Sequence, residues 1–105
     1  MKLKHGVRLT DLTPQMAIAA CIVRDVYAEL DPGASCTITS ANDSKHGENS
    51  WHYKGRALDF RTHDFTGDKQ QLLYVLKDAL GPEFDVLLEG AGTPNEHIHC
   101  EWDPK

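Results

Sequence analysis

The chain has little cysteine, little aromatic character and few basic residues. Three cysteines stand far apart, at Cys21, Cys36 and Cys100. Their odd number and wide spacing exclude a disulfide framework and a Cys-x-x-Cys zinc pattern. Each is expected to be a buried free thiol. Aromatic residues are 8% of the chain, and 11 lysines and arginines face 16 acids, for a formal charge of −5. The bases are dispersed, and the segment 82–105 carries six acids and one lysine. That distribution excludes an electrostatic grip on nucleic acid. No apolar run approaches the roughly 18 residues that span a membrane. The opening "MKLKHGVRLTDLTP" has no apolar block after its lysines and so does not read as a secretory signal. The expectation is a protein without membrane insertion, cytoplasmic until something else releases it.

What is present is a globular composition, 40% apolar and 26% charged over 105 residues. This length suits a single domain, residues 1–105, with one core. Residues 1–12 read as an arm or a short first strand. In "TPQMAIAACIVRDVYAELDPG", Thr13 is a good N-cap and Pro14 suits the first helical position. Ile18, Ile22, Val26 and Leu30, with Ala19, recur at helical spacing, and Asp31-Pro32-Gly33 stops the helix. "SCTITS" alternates as a strand, and "ANDSKHGENS" is a loop. "ALDFRT" is a second strand, followed by a helix in "GDKQQLLYVLKDALGPE" with Leu72, Leu73, Leu76 and Leu80 on one stripe. "FDVLLE" and "EHIHCEW" are further strands joined by the turn-rich "GAGTPN". The sum is an α+β domain with two main helices and a small, mostly antiparallel sheet.

The chemistry gathers in two short segments. His52 lies seven positions before Asp59, with Gly55 and Ala57 between them. Asp59 shares a strand face with Ala57 and Arg61, while Leu58 and Phe60 turn to the core. In "EHIH", His97 and His99 share one face and Ile98 takes the other. Imidazole nitrogens and carboxylate oxygens are good zinc donors, and a catalytic zinc uses three protein ligands and leaves one position open. A His/His/Asp set of that kind suits zinc better than other divalent ions.

Residues Ser50-Trp51-His52-Tyr53-Lys54-Gly55-Arg56-Ala57-Leu58-Asp59 resemble the Ser-x-His-x-x-Gly-x-Ala-x-Asp motif of the zinc D-alanyl-D-alanine carboxypeptidases and L-alanyl-D-glutamate endopeptidases (peptidase family M15, with the Hedgehog/DD-peptidase fold). Glu96-His97-Ile98-His99 resembles the second motif, Glu-x-x-His. The likeness runs from "LTPQM" to "HIHCEW" and is strongest to small phage-encoded members. It implies that His52, Asp59 and His99 bind Zn²⁺ and that Glu96 is the general base. His97 would donate to the oxyanion or brace the site. The implied substrate is a peptide of bacterial peptidoglycan, cut by a monomer released by a phage lysis system or carried on a virion. Many members have an arginine in a Ser-Gly-Tyr-Arg-like segment, where this chain reads Ser40-Ala41-Asn42-Asp43. Lys45 and Arg56 are the candidates to bind substrate in its place. Arg61 is expected to pair with a carboxylate. The alternatives are a non-catalytic zinc module of the same fold that binds a peptide or protein, and a metal-free structural domain.

Overall fold

The computed structural model describes residues 1–41 and 55–104. Among these, two helices pack on one face of a five-stranded sheet. The elements in chain order are β1 (Lys2–Leu3), α1 (Pro14–Leu30), β2 (Thr37–Ser40), β3 (Ala57–Arg61), α2 (Lys69–Leu80), β4 (Phe84–Glu89) and β5 (His97–Trp102). The strand order is β1-β2-β3-β5-β4. Only the β1–β2 pair is parallel; the other three pairs are antiparallel. The α+β reading, with its mostly antiparallel sheet, is the observed fold.

Helix α1 starts as its sequence dictates. The Thr13 hydroxyl accepts a hydrogen bond from the Met16 amide at 3.2 Å, and Pro14 opens the first turn. The helix stops before Pro32, with the Asp31 amide donating to the Tyr27 carbonyl. Its buried stripe is Met16, Ala19, Ala20, Val23, Val26 and Tyr27. The expected stripe through Ile18 and Ile22 is rotated from this one, and Ile18 is 63% exposed. Small alanines at 19 and 20 let the helix approach the sheet closely, so they, not the isoleucines, turn inward. Cys36 and Cys100 are buried as expected, but Cys21, on the outer side of α1, is exposed. Thr37 is buried along with its neighbours Cys36 and Ile38, so both sides of β2 are covered there.

Helix α2 buries Leu72, Leu76 and Leu80, caps its start with Asp68 and ends at Gly81. The core lies between the two helices and the inward residues of the strands, chiefly Ile38, Leu58, Phe60, Val86, Ile98 and Cys100. Two polar links fix the helices to the sheet ends. The Tyr27 hydroxyl donates to the Arg61 carbonyl at 2.8 Å. The Asp31 carboxylate accepts from the Thr66 amide and hydroxyl, both at 2.9 Å.

Candidate metal centre

Strand alternation and register generate the site. On β3, Leu58 and Phe60 enter the core, so Ala57, Asp59 and Arg61 share the opposite face. On β5, Ile98 and Cys100 go inward, leaving His97, His99 and Glu101. On β4, the outward set is Asp85, Leu87 and Glu89. Antiparallel pairing aligns these nine residues in three rows. Asp85, Glu101 and Ala57 form the first row, Leu87, His99 and Asp59 the second, and Glu89, His97 and Arg61 the third. Both helices lie on the other side of the sheet.

His99 stands at the centre of this array. Its Nδ1 faces Asp59 Oδ1 at 2.8 Å and its Nε2 faces Glu101 Oε1 at 2.9 Å. Burial alone would pull the imidazole pKa down. The two carboxylate hydrogen bonds outweigh it and raise the value to about 9. One oxygen or nitrogen each from Asp59, Glu89 and His99 lie within 4.8 Å of one another. Zinc bonds of about 2.0–2.1 Å put tetrahedral donors roughly 3.3 Å apart, so small adjustments of Asp59 and His99 would close these two donors on an ion, with Glu89 beside it. The Glu101 contact fits the same purpose, because a metal-binding histidine characteristically gives its other ring N–H to a carboxylate. The donor set therefore fits a zinc-type divalent ion, held through His99 Nδ1 and the Asp59 carboxylate.

His97 sits beside this group. One ring nitrogen, Nδ1, donates to the Asn95 carbonyl at 2.7 Å. The other, Nε2, lies 3.0 Å from Glu89 Oε1 and 3.9 Å from Asp59 Oδ2. A carbonyl only accepts, so Nδ1 carries a hydrogen in every state. The His97–Glu89 contact thus sets a ring nitrogen and a carboxylate oxygen within hydrogen-bond reach of each other.

Glu96 immediately precedes β5, and its carboxylate reaches the start of α2. There Oε1 accepts from the Thr62 hydroxyl at 2.6 Å and from Lys69 Nζ at 2.7 Å, and Oε2 accepts from the Gly92 amide at 2.9 Å. These contacts, led by Lys69, hold its pKa down at about 2. Glu96 thus ties the start of β5 to the start of α2. The acid that does reach the site, Glu89, was not among the residues expected. Its signal was present: alternation in "FDVLLE" puts Asp85, Leu87 and Glu89 on one face, and a hairpin through residues 90–96 sets Glu89 opposite His97.

His52 and Lys45 lie outside the described residues. Arg56 is not near the His97 row. Its guanidinium stacks over the Trp102 ring at 4.9 Å, at the far end of β5. The motif glycine has a steric reason. Gly55 has φ +70, and a Cβ there would overlap the Asp11 carbonyl oxygen. Its own carbonyl accepts from the Thr13 amide at 3.0 Å. The turn before β3 is thereby held against the entrance of α1.

The fold and the site define an α+β domain with a histidine–carboxylate centre on the helix-free face of its sheet. The family model of the Hedgehog amino-terminal signalling domain matches residues 13–101, and the chain belongs to that family. Its fold is the one shared with the zinc D-Ala-D-Ala peptidases. No curated protein matches the chain. No helix of the described residues is long and apolar enough to cross a membrane.

Proposed function

We propose that the chain is a zinc-dependent peptidase that hydrolyses an amide bond in bacterial peptidoglycan peptides, of the L-Ala–D-Glu endopeptidase or the D-Ala–D-Ala carboxypeptidase type. The observation that carries this reading is the convergence of Asp59, His99, Glu89 and His97 on one open sheet face. Asp59 and His99 would hold the metal together with His52, which the first motif adds. When bound, zinc supplies a Lewis acid for the amide carbonyl.

The remaining steps belong to the protein. Glu89 Oε1 takes the proton of the attacking water and passes it to the departing amine, with His97 Nε2 bracing the carboxylate. Glu101, by accepting the Nε2–H of His99, orients the ring and leaves the lone pair on Nδ1, beside Asp59. The motif likeness to small phage enzymes supports a monomeric lysin or virion-borne wall enzyme. We favour the endopeptidase type.

The test is digestion of purified peptidoglycan by zinc-loaded wild type, Glu89→Gln and Glu96→Gln, read by mass spectrometry. One new amide cleavage is expected in wild type. Glu89→Gln should lose at least about 100-fold in rate while keeping its zinc, and Glu96→Gln should keep most of the rate. The opposite pattern would return the base role to Glu96. The match to a signalling domain favours a second reading, a zinc-containing module that binds a peptide or protein without cleaving it. Zinc-loaded wild type that cuts no wall chemotype would establish that reading instead.

A further inference from the structure

A cavity of about 340 Å³ adjoins the metal centre at the His97 end. Its cationic wall is made by Lys4, which follows β1, and by Arg61, at the end of β3. Neither side chain forms a hydrogen bond or ion pair among the described residues, so the carboxylate partner expected for Arg61 is not found there. Two acids also line the cavity. Glu96 is already neutralised by Lys69 at 2.7 Å, which leaves Asp64, among the described residues, as the lining carboxylate without such a partner. In a chain of formal charge −5, two cations with no partner among the described residues, beside the candidate metal centre, form a local site for an anion.

Geometry sets the size of the ligand. Arg61 and Asp59 are two residues apart on one strand face, a rise of roughly 7 Å. An extended peptide advances about 3.5 Å per residue. An anion held at Arg61 therefore belongs to a residue one or two positions from the amide presented to Asp59 and His99.

We propose that this cavity binds a free carboxylate of the substrate next to the scissile amide, with the Arg61 guanidinium as its forked partner and Lys4 as a second cation. This inference rests on the peptidase reading above. It supplies a carboxylate-binding cation within β3 itself, in place of Arg56, which is occupied by Trp102. A γ-linked D-Glu residue, whose α-carboxylate lies beside its amide, is the matching chemistry. The amidated form, D-isoglutamine, is then the disfavoured substrate.

The test uses two peptides, acetyl-L-Ala-γ-D-Glu-L-Lys-amide and its D-isoglutamine counterpart. Each carries a ketomethylene in place of the L-Ala–D-Glu amide so that it is not cut. Their affinities for the zinc-loaded full chain are measured by calorimetry. Wild type should bind the acid roughly tenfold or more tightly than the amide. Arg61→Gln should abolish that preference, Lys4→Gln should reduce it by a few fold, and Lys77→Gln should leave it intact. Circular dichroism melts confirm that the variants fold. Equal affinities in wild type, absence of binding, or a preference that survives Arg61→Gln would overturn the proposal. Cleavage of the unmodified acid peptide is scored separately. Discrimination without cleavage removes the peptidase reading and leaves the carboxylate site standing.

Discussion

Glu96, expected as the general base, is held by contacts that tie two elements together. Its three acceptor contacts join a buried threonine, the first lysine of α2 and a loop amide. Replacing it with glutamine removes the charge that Lys69 answers and should lower stability by about 1–3 kcal/mol. The effect has a direction in pH. Glu96 is depressed from 4.5 to about 2 in the folded chain, so the unfolded state binds more protons between those values. Its stabilisation is full above pH 4.5 and disappears as the pH falls toward 2. Urea melts from pH 2 to 6 should show the gap between wild type and Glu96→Gln closing toward the acid end; a gap independent of pH would contradict this role. Asp59 and His99 were legible because strand alternation alone puts each on the polar face. Glu89 was not, because its place depends on the register between two strands seven residues apart at the hairpin end. The hold of Lys69 on Glu96 was not legible, because it depends on how the start of α2 meets the start of β5.

The elements were mostly visible as sequence. Caps at Thr13 and Asp68 and the stop at Pro32 delimit both helices, since these depend on local hydrogen bonds. The buried side of α1 was less legible, because apolar residues run around much of it and only the neighbouring surface selects a stripe. The turn before β3 is the point at which local and distant structure meet. Gly55 combines a left-handed backbone with contact against Asp11 and Leu12. Gly55→Ala should therefore cost about 3 kcal/mol, well beyond the usual loop substitution. A conservative change at Gly81, which has φ +87 but open space around it, should cost less because only the backbone preference is violated. Thermal denaturation of the two variants decides this, and equal losses would remove the packing argument for Gly55.

At the scale of the whole molecule, the core and the site lie on opposite sides of one sheet. Fold class followed from the alternation of helices and strands, whereas the order β1-β2-β3-β5-β4 rests on pairings between distant segments that no local pattern specifies. Because the apolar cluster stands apart from the metal donors, the chain should remain folded without metal, unlike small zinc modules that depend on it. Zinc at a hundredfold excess over its dissociation constant should add about 2.7 kcal/mol, raising the melting temperature by roughly 10–20 °C. Chelator should reverse the shift and still leave a cooperative transition; its disappearance would mean that metal holds the fold. The sheet itself is uneven. β3 and β5 share five aligned residue pairs, whereas β1 meets β2 through only two. Amides of Lys2 and Lys4, which donate to the Cys36 and Ile38 carbonyls, should exchange with deuterium well before those of β5. The anion cavity thus has one hard wall, carrying Arg61, and one soft wall, carrying Lys4. On the proposed reading, a bulky ligand would be admitted by yielding of the two-residue β1 edge, while β3 and β5 keep Asp59 and His99 aligned.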